Sequence, residues 1–289
     1  YADAQFWLGV CYENGNGVTK DPKKAFEWYQ KSANQGFSSA QNNIGGCYQN
    51  GIGVAPNPAK AFAWFQKAAN QGNAVAQFNV GRCYEQGIGV TEDPKKAFEW
   101  YQKSANQGYA DAQCTVGGCY AFGYGVAKDP AQAFEWCQKA ANQGNATAQY
   151  FVGCCYQDGN GVSQNLRTAF EWYQKAANQG NAGAQCYVGL YYQNGLGVAK
   201  DVEKAFEWYQ KAANQGNAGA QFAIGTCYEN GISVTKDVGK AFEWCRFAKL
   251  SCRRFNPLRI SRQTCSQGYR AGKISFRVSI SKWQKSGHT

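Results

Sequence analysis

Ala2-Asp3-Ala4-Gln5-Phe6-Trp7-Leu8-Gly9-Val10-Cys11-Tyr12-Glu13-Asn14-Gly15 opens the chain, and the phrase returns in register every 36 residues. Its Ala-Gln pair recurs as Ala40-Gln41, Ala76-Gln77, Ala112-Gln113, Ala148-Gln149, Ala184-Gln185 and Ala220-Gln221. Gly9, Tyr12, Gly15, Val18, Phe26 and Trp28 come back at the same interval, and no insertion breaks the count across seven copies. A fixed period of this length marks a solenoid, whose units bury their apolar faces only against neighbours.

Within one copy, residues 2–14 are predicted to form a helix. At about 100° per residue, Ala4, Gln5, Leu8, Gly9 and Tyr12 share one side, and Asp3, Trp7, Val10 and Asn14 share the other. Gly9 in mid-helix costs about 1 kcal/mol relative to Ala, so its return in every copy predicts a neighbouring helix too close for a Cβ. Gly15 sits where a left-handed C-cap is wanted. Asp21-Pro22 then opens a second helix as N-cap and N1, a device repeated at Asn57-Pro58, Asp93-Pro94 and Asp129-Pro130. Ala25, Phe26, Trp28, Tyr29, Ser32 and Ala33 form its apolar face, with Lys24, Glu27, Gln30 and Lys31 opposite. The seven Trp at this position are expected in the core.

This phrase, with its Asp-Pro-x-Lys-Ala-Phe-x-Trp-Tyr second half, resembles the Sel-1-like repeat, a relative of the tetratricopeptide repeat. The resemblance covers about residues 1–245 and implies an all-α fold of antiparallel helix pairs stacked into a right-handed superhelix. The predicted organisation is an array over residues 1–250, with repeats starting near 2, 38, 74, 110, 146, 182 and 218. A basic tail follows over 251–289, disordered or weakly strand-like. The resemblance also implies an adaptor. A cysteine-rich bacterial branch of the family is linked to penicillin binding and β-lactamase activity, and it pairs its cysteines within each repeat. That pairing is largely missing here.

The chain has 289 residues and a formal charge of +11. Of its 30 basic residues, eleven follow Cys245, where there is no Asp or Glu, which leaves 19 basic against 19 acidic before it. A neutral array is not built to track a phosphate backbone, so nucleic acid or anionic membrane is open only to the tail. There Ile274, Phe276, Val278 and Ile280 alternate with Ser275, Arg277, Ser279 and Ser281, a period-2 strand signal. Disordered extension and out-of-frame sequence are the bland alternatives. No apolar run approaches the roughly 18 residues of a membrane span. The start in mid-phrase and the absence of Met suggest an excised piece.

Six of the thirteen cysteines (Cys11, Cys47, Cys83, Cys119, Cys155 and Cys227) occupy one repeat position. Equivalent positions on packed helices lie about 8–10 Å apart, too far for a bridge, so these six read as small apolar residues. In-repeat bridges from Cys119 to Cys137 and from Cys227 to Cys245 remain open. Unpaired thiols favour the cytoplasm, with a secreted or periplasmic location also open.

Catalytic chemistry is not visible. The one histidine is His288, which removes Ser-His and Cys-His arrangements and imidazole-rich metal sites from the array. Neither a metal nor a cofactor is expected. Ser279-Ile280-Ser281-Lys282 and Lys285-Ser286-Gly287 match penicillin-recognising motifs only superficially, being a few residues apart. Asn145-Ala146-Thr147 is a sequon expected at random.

The expected function is therefore a non-enzymatic, monomeric scaffold holding a protein partner or extended peptide in its groove. The alternative is a β-lactam-binding or β-lactamase-like enzyme. Candidate contact residues are those where the copies disagree on the variable first-helix face: Trp7, Val10, Asn43, Asn79, Arg82, Phe151, Cys154, Tyr187 and Leu190. Drift at exposed positions explains the same variation. The aromatic cluster of Trp7, Phe151 and Tyr187 favours binding.

Overall fold

The computed structural model describes residues 1–247. It is an all-α solenoid of fourteen helices among the described residues, arranged as seven antiparallel pairs. The first compact unit, Tyr1–Asn145, holds α1 (Ala2–Asn14), α2 (Pro22–Asn34), α3 (Ser38–Asn50), α4 (Pro58–Asn70), α5 (Ala74–Gln86), α6 (Pro94–Asn106), α7 (Ala110–Phe122) and α8 (Pro130–Asn142). The second begins at Ala146 and holds α9 (Ala146–Asp158), α10 (Leu166–Asn178), α11 (Ala182–Asn194), α12 (Val202–Asn214), α13 (Ala218–Asn230) and α14 (Val238–Phe247). The tail expected over 251–289, its alternating segment, and an extension of the last helix to Leu250 lie outside the described residues. No described helix is long and apolar enough to cross a membrane.

The boundaries follow from local chemistry. Asp21 Oδ1 accepts from the backbone N–H of Lys23 and Lys24 at 3.1 Å each, satisfying two donors that an α-helix start leaves bare. Asp93 does the same for α6. Asn165 and Asp201 cap without a following proline. First helices end on a left-handed glycine, as at Gly15 with φ 79°, whose N–H bonds back to Cys11 O at 2.8 Å.

Each core is a thin seam in which alanines let two helices approach; a large ring faces the first-helix glycine in five pairs, and Cys137 and Cys245 take that place in the other two. Gly81 lies so close to α6 that a Cβ there would stand 2.6 Å from the Tyr101 ring. Tyr29, Tyr101, Tyr173 and Tyr209 are at most 2% exposed. The tryptophans, expected in the core, are not so deep: Trp28, Trp64, Trp100, Trp136, Trp172 and Trp208 are half-buried. A lysine three residues on covers each of these rings, as Lys103 does over Trp100 at 4.0 Å. The Trp100 ring packs its inner edge on the core between α4 and α5, while its outer face takes the cation–π contact. Tyrosine, one residue later, points straight at the first-helix glycine and takes the central place.

Glutamines lock successive pairs together. Gln71 Nε2 donates to Gln41 Oε1 at 2.6 Å, and Gln41 Nε2 donates to Ala33 O of the preceding pair at 3.2 Å. The relay recurs through Gln107 and Gln77 in the first unit and Gln215 and Gln185 in the second. It explains the nearly buried amides of Gln41, Gln77 and Gln185, since a buried polar group must find partners.

The eleven cysteines among the described residues form no disulfide. The repeated cysteine packs in a core with the preceding pair's aromatic ring, as Cys47 does with Tyr29 and Cys119 with Tyr101.

Candidate protein-binding surface

The two most variable first-helix positions are the seventh and tenth residues of each repeat. In the first unit Trp7 is 57% exposed and rests edge-on against Phe6 at 5.3 Å. Val10 is half-buried and leans on the core of α2 and α3. Asn43 and Asn79 are half-buried amides. Asn43 hydrogen-bonds the Tyr29 hydroxyl, and Asn79 Nδ2 donates to Asn42 Oδ1 at 2.9 Å. Arg82 lies one helical turn before Glu85, and its charge opposes the rise in that carboxyl's pKa.

In the second unit Phe151, Cys154, Tyr187 and Leu190 are all half-buried. The Tyr173 hydroxyl reaches Cys154 Sγ at 3.4 Å. Tyr187 stacks on Tyr173 with centroids 4.8 Å apart and rings 17° from parallel. Tyr187 was expected to face solvent, but it packs against the α10–α11 core and is half-buried. Within a unit, the seventh residue of one first helix meets the sixth of the preceding one, as Tyr187 meets Tyr150 with ring centroids 5.8 Å apart and Asn79 meets Asn42.

Sequence reasoning missed the polar residues that tie this face to the seam. Tyr101 OH donates to Glu85 Oε2 at 2.7 Å, and Tyr209 OH to Gln193 Oε1 at 2.6 Å. Tyr29 OH donates to Glu13, while Tyr173 and Tyr191 both donate to Gln157 Oε1 at 3.1 Å. The signal was present: an acid or amide stands 16 residues before every tyrosine at that second-helix position, and Ala121 stands before Cys137. Burial pushes the Glu85 carboxyl up in pKa, against the lowering effects of Tyr101 and Arg82.

Chemically the face offers amides, aromatic edges, one guanidinium and hydroxyls engaged with their own acceptors. Burial pushes the Cys47, Cys83 and Cys154 thiols up to about 12, which keeps them protonated and weakly nucleophilic near neutrality. No group of three or more His, Cys, Asp or Glu placed to hold a metal ion occurs among the described residues. These side chains stand on a helical-repeat scaffold.

The chain belongs to the Sel1 repeat family, whose model matches residues 2–37, 38–73, 74–109, 110–145, 146–181, 182–217 and 218–249. Among solved structures it is similar to c5321, described as a protective antigen of uropathogenic Escherichia coli strains displaying an SLR fold. The identity is 37% and the TM-score 0.78, over 86% of this chain and 53% of that one. The chain thus spans about half the length of that relative. It is also similar to a Sel1 repeat protein from Oxalobacter formigenes, at 31% identity and TM-score 0.76 over 87% of this chain and 99% of that one. None of the curated proteins matches it. Sel1 repeat proteins generally bind protein partners, and most are non-enzymatic scaffolds.

Proposed function

We propose that this chain is a non-enzymatic adaptor that holds an extended protein segment against its first-helix faces. Trp7, Val10, Asn43, Asn79 and Arg82 would make the contact in the first unit, and Phe151, Cys154, Tyr187 and Leu190 in the second. One observation carries the reading: variation concentrates at two surface positions of an otherwise repeated frame. Position 7 runs Trp, Asn, Asn, Thr, Phe, Tyr, Ala, and position 10 runs Val, Gly, Arg, Gly, Cys, Leu, Thr, while Ala4, Gln5 and Gly9 never change. Half-buried amides in the first unit and half-buried aromatics in the second supply residue types found at protein interfaces.

Photo-crosslinkers placed at residues 79 and 187 should capture the bound segment, whereas one at residue 103, on the second-helix side, should not. Equal capture from all three positions would remove the first-helix faces from this role.

A further inference from the structure

The charges of the array sum to about zero, but in the first unit the two layers of helices divide them. Its second helices, α2, α4, α6 and α8, carry nine lysines, no arginine and three glutamates. Its first helices, α1, α3, α5 and α7, carry one arginine against four carboxylates. The nine lysines are exposed, whereas Glu13, Glu85 and Asp111 on the first helices are half-buried. No aspartate or glutamate occurs from residue 28 to residue 84.

Two rows of ammonium groups run along the unit, one at each end of the second helices. Lys31, Lys67, Lys103 and Lys139 lie 4.1, 4.2, 4.0 and 4.3 Å from the ring centroids of Trp28, Trp64, Trp100 and Trp136. Lys24, Lys60 and Lys96 lie 5.4, 5.3 and 5.5 Å from those of Tyr12, Tyr48 and Tyr84. Seven residues return a helical side chain to within about 20° of the same face, about 10 Å further along the axis. Both rows therefore belong to one face, and the ring beneath each lysine fixes its ammonium at a repeated place. Lys24 and Lys96 pair with the caps Asp21 and Asp93 at 3.7 and 3.4 Å, and Lys139 pairs with Glu135 at 2.9 Å. Lys31, Lys60, Lys67 and Lys103 take part in none of the ion pairs among the described residues. Glu27, Glu99 and Glu135 stand between the rows on α2, α6 and α8, and Ala63 takes that place on α4. The face is most basic there.

We propose that the second-helix face of the first unit docks on an anionic phospholipid bilayer, with α4 at the centre of the contact. Charge complementarity gives the sign of the occupant, and the arrangement gives its form. Two rows side by side over four helices present a sheet of charge, which a plane of headgroups meets at once and a single extended chain does not. Lysine is a compact point charge without the planar fork that arginine brings to one particular phosphate, and it suits the diffuse field of an anionic leaflet. With the second helices toward lipid, the first helices and their variable residues are left for the protein segment. The proposal departs from the expectation, read from a neutral sum, that only the tail could meet an anionic membrane. It stands apart from the adaptor reading, because the lipid contact needs none of the first-helix residues.

The test uses the full 289-residue chain with a photo-crosslinker at residue 63, exposed between the rows on α4, or at residue 43 on α3. Each is mixed with vesicles of phosphatidylcholine, with or without phosphatidylserine. Residue 63 should capture lipid only where phosphatidylserine is present, and residue 43 should capture none. Lys60→Gln with Lys67→Gln should cut capture from residue 63 about tenfold or more with helical circular dichroism unchanged, and high salt should do the same. Lys31→Gln with Lys103→Gln gives the same loss should the first pair lose helicity. No capture at residue 63, capture without phosphatidylserine, or capture that survives the substitutions overturns the proposal. Equal capture from residues 43 and 63 also overturns it, and shows a chain held at the membrane by its tail with no preferred face. So does duplex DNA that displaces the vesicles and is itself captured at residue 63, which moves the lysine rows to nucleic acid.

Discussion

The α5–α6 pair of the first unit and the α9–α10 pair of the second share one frame and part company at one polar contact. In both, a glycine admits a tyrosine whose ring lies about as close as packing allows: 2.6 Å separates a would-be Cβ at Gly81 or Gly153 from Tyr101 or Tyr173. In both, that tyrosine donates to the first helix, but to the carboxylate of Glu85 in one and the amide of Gln157 in the other. Their outward faces then differ freely, with Asn79 and Arg82 against Phe151 and Cys154. The frame demands an acceptor and a gap, and it leaves charge and surface chemistry open.

The largest test of that division is the central ring. Tyr101→Ala removes a fully buried aromatic and should cost about 3–5 kcal/mol in chemical denaturation, with Tyr173→Ala equal within error. Trp100→Ala should cost less, about 1–3 kcal/mol, because Lys103 and solvent already share its outer face. A tryptophan loss matching the tyrosine loss would mean that the two rings divide the core differently from the geometry here.

Next come the glycines. Gly81→Ala forces a Cβ into the Tyr101 ring and should destabilise by about 1–3 kcal/mol, the usual cost of overpacking. Gly46→Ala, in mid-α3, meets nothing within 4 Å and should stabilise by up to about 1 kcal/mol through helix propensity. Opposite signs in thermal melts confirm the contrast, and equal signs break it.

Tyr187→Ala tests the boundary between frame and face. Its stacking on Tyr173 makes a loss of about 1–2 kcal/mol the expected result, between the cost at a core ring and the near-zero cost of a free surface residue. A loss under about 0.5 kcal/mol would return Tyr187 to the free surface.

The helix pairs were legible because capping, glycine placement and apolar spacing all repeat with one period, and agreement among such signals is what specifies a fold. Trp100 and Tyr101 were harder to rank, since adjacent residues share the apolar face of α6 and only the position of Gly81 on α5 decides which goes deeper. The Tyr101–Glu85 contact follows no helical period, and only comparison across copies, where Gln157 and Gln193 stand in, brings it out.

The smallest expected effect is the most specific. Burial holds the Glu85 carboxyl above its ordinary pKa despite Tyr101 and Arg82, so ionising it in the folded state is harder than in the unfolded chain. A group raised in this way gives its full stability below the unfolded pKa and loses it as pH rises through the folded value. Glu85 is therefore a small burden at neutral pH and none in acid. Glu85→Gln keeps an acceptor for the Tyr101 hydroxyl, as Gln157 does for Tyr173, and sheds the charge. The variant should melt higher than the parent at pH 7, with the difference shrinking to nothing below about pH 4, where a free Glu carboxyl is itself protonated. A variant that melts lower at pH 7 and equally in acid would reverse the sign. It would show that the Arg82 charge and the Tyr101 bond outweigh desolvation, so that the two pairs differ in charge by requirement and not by freedom.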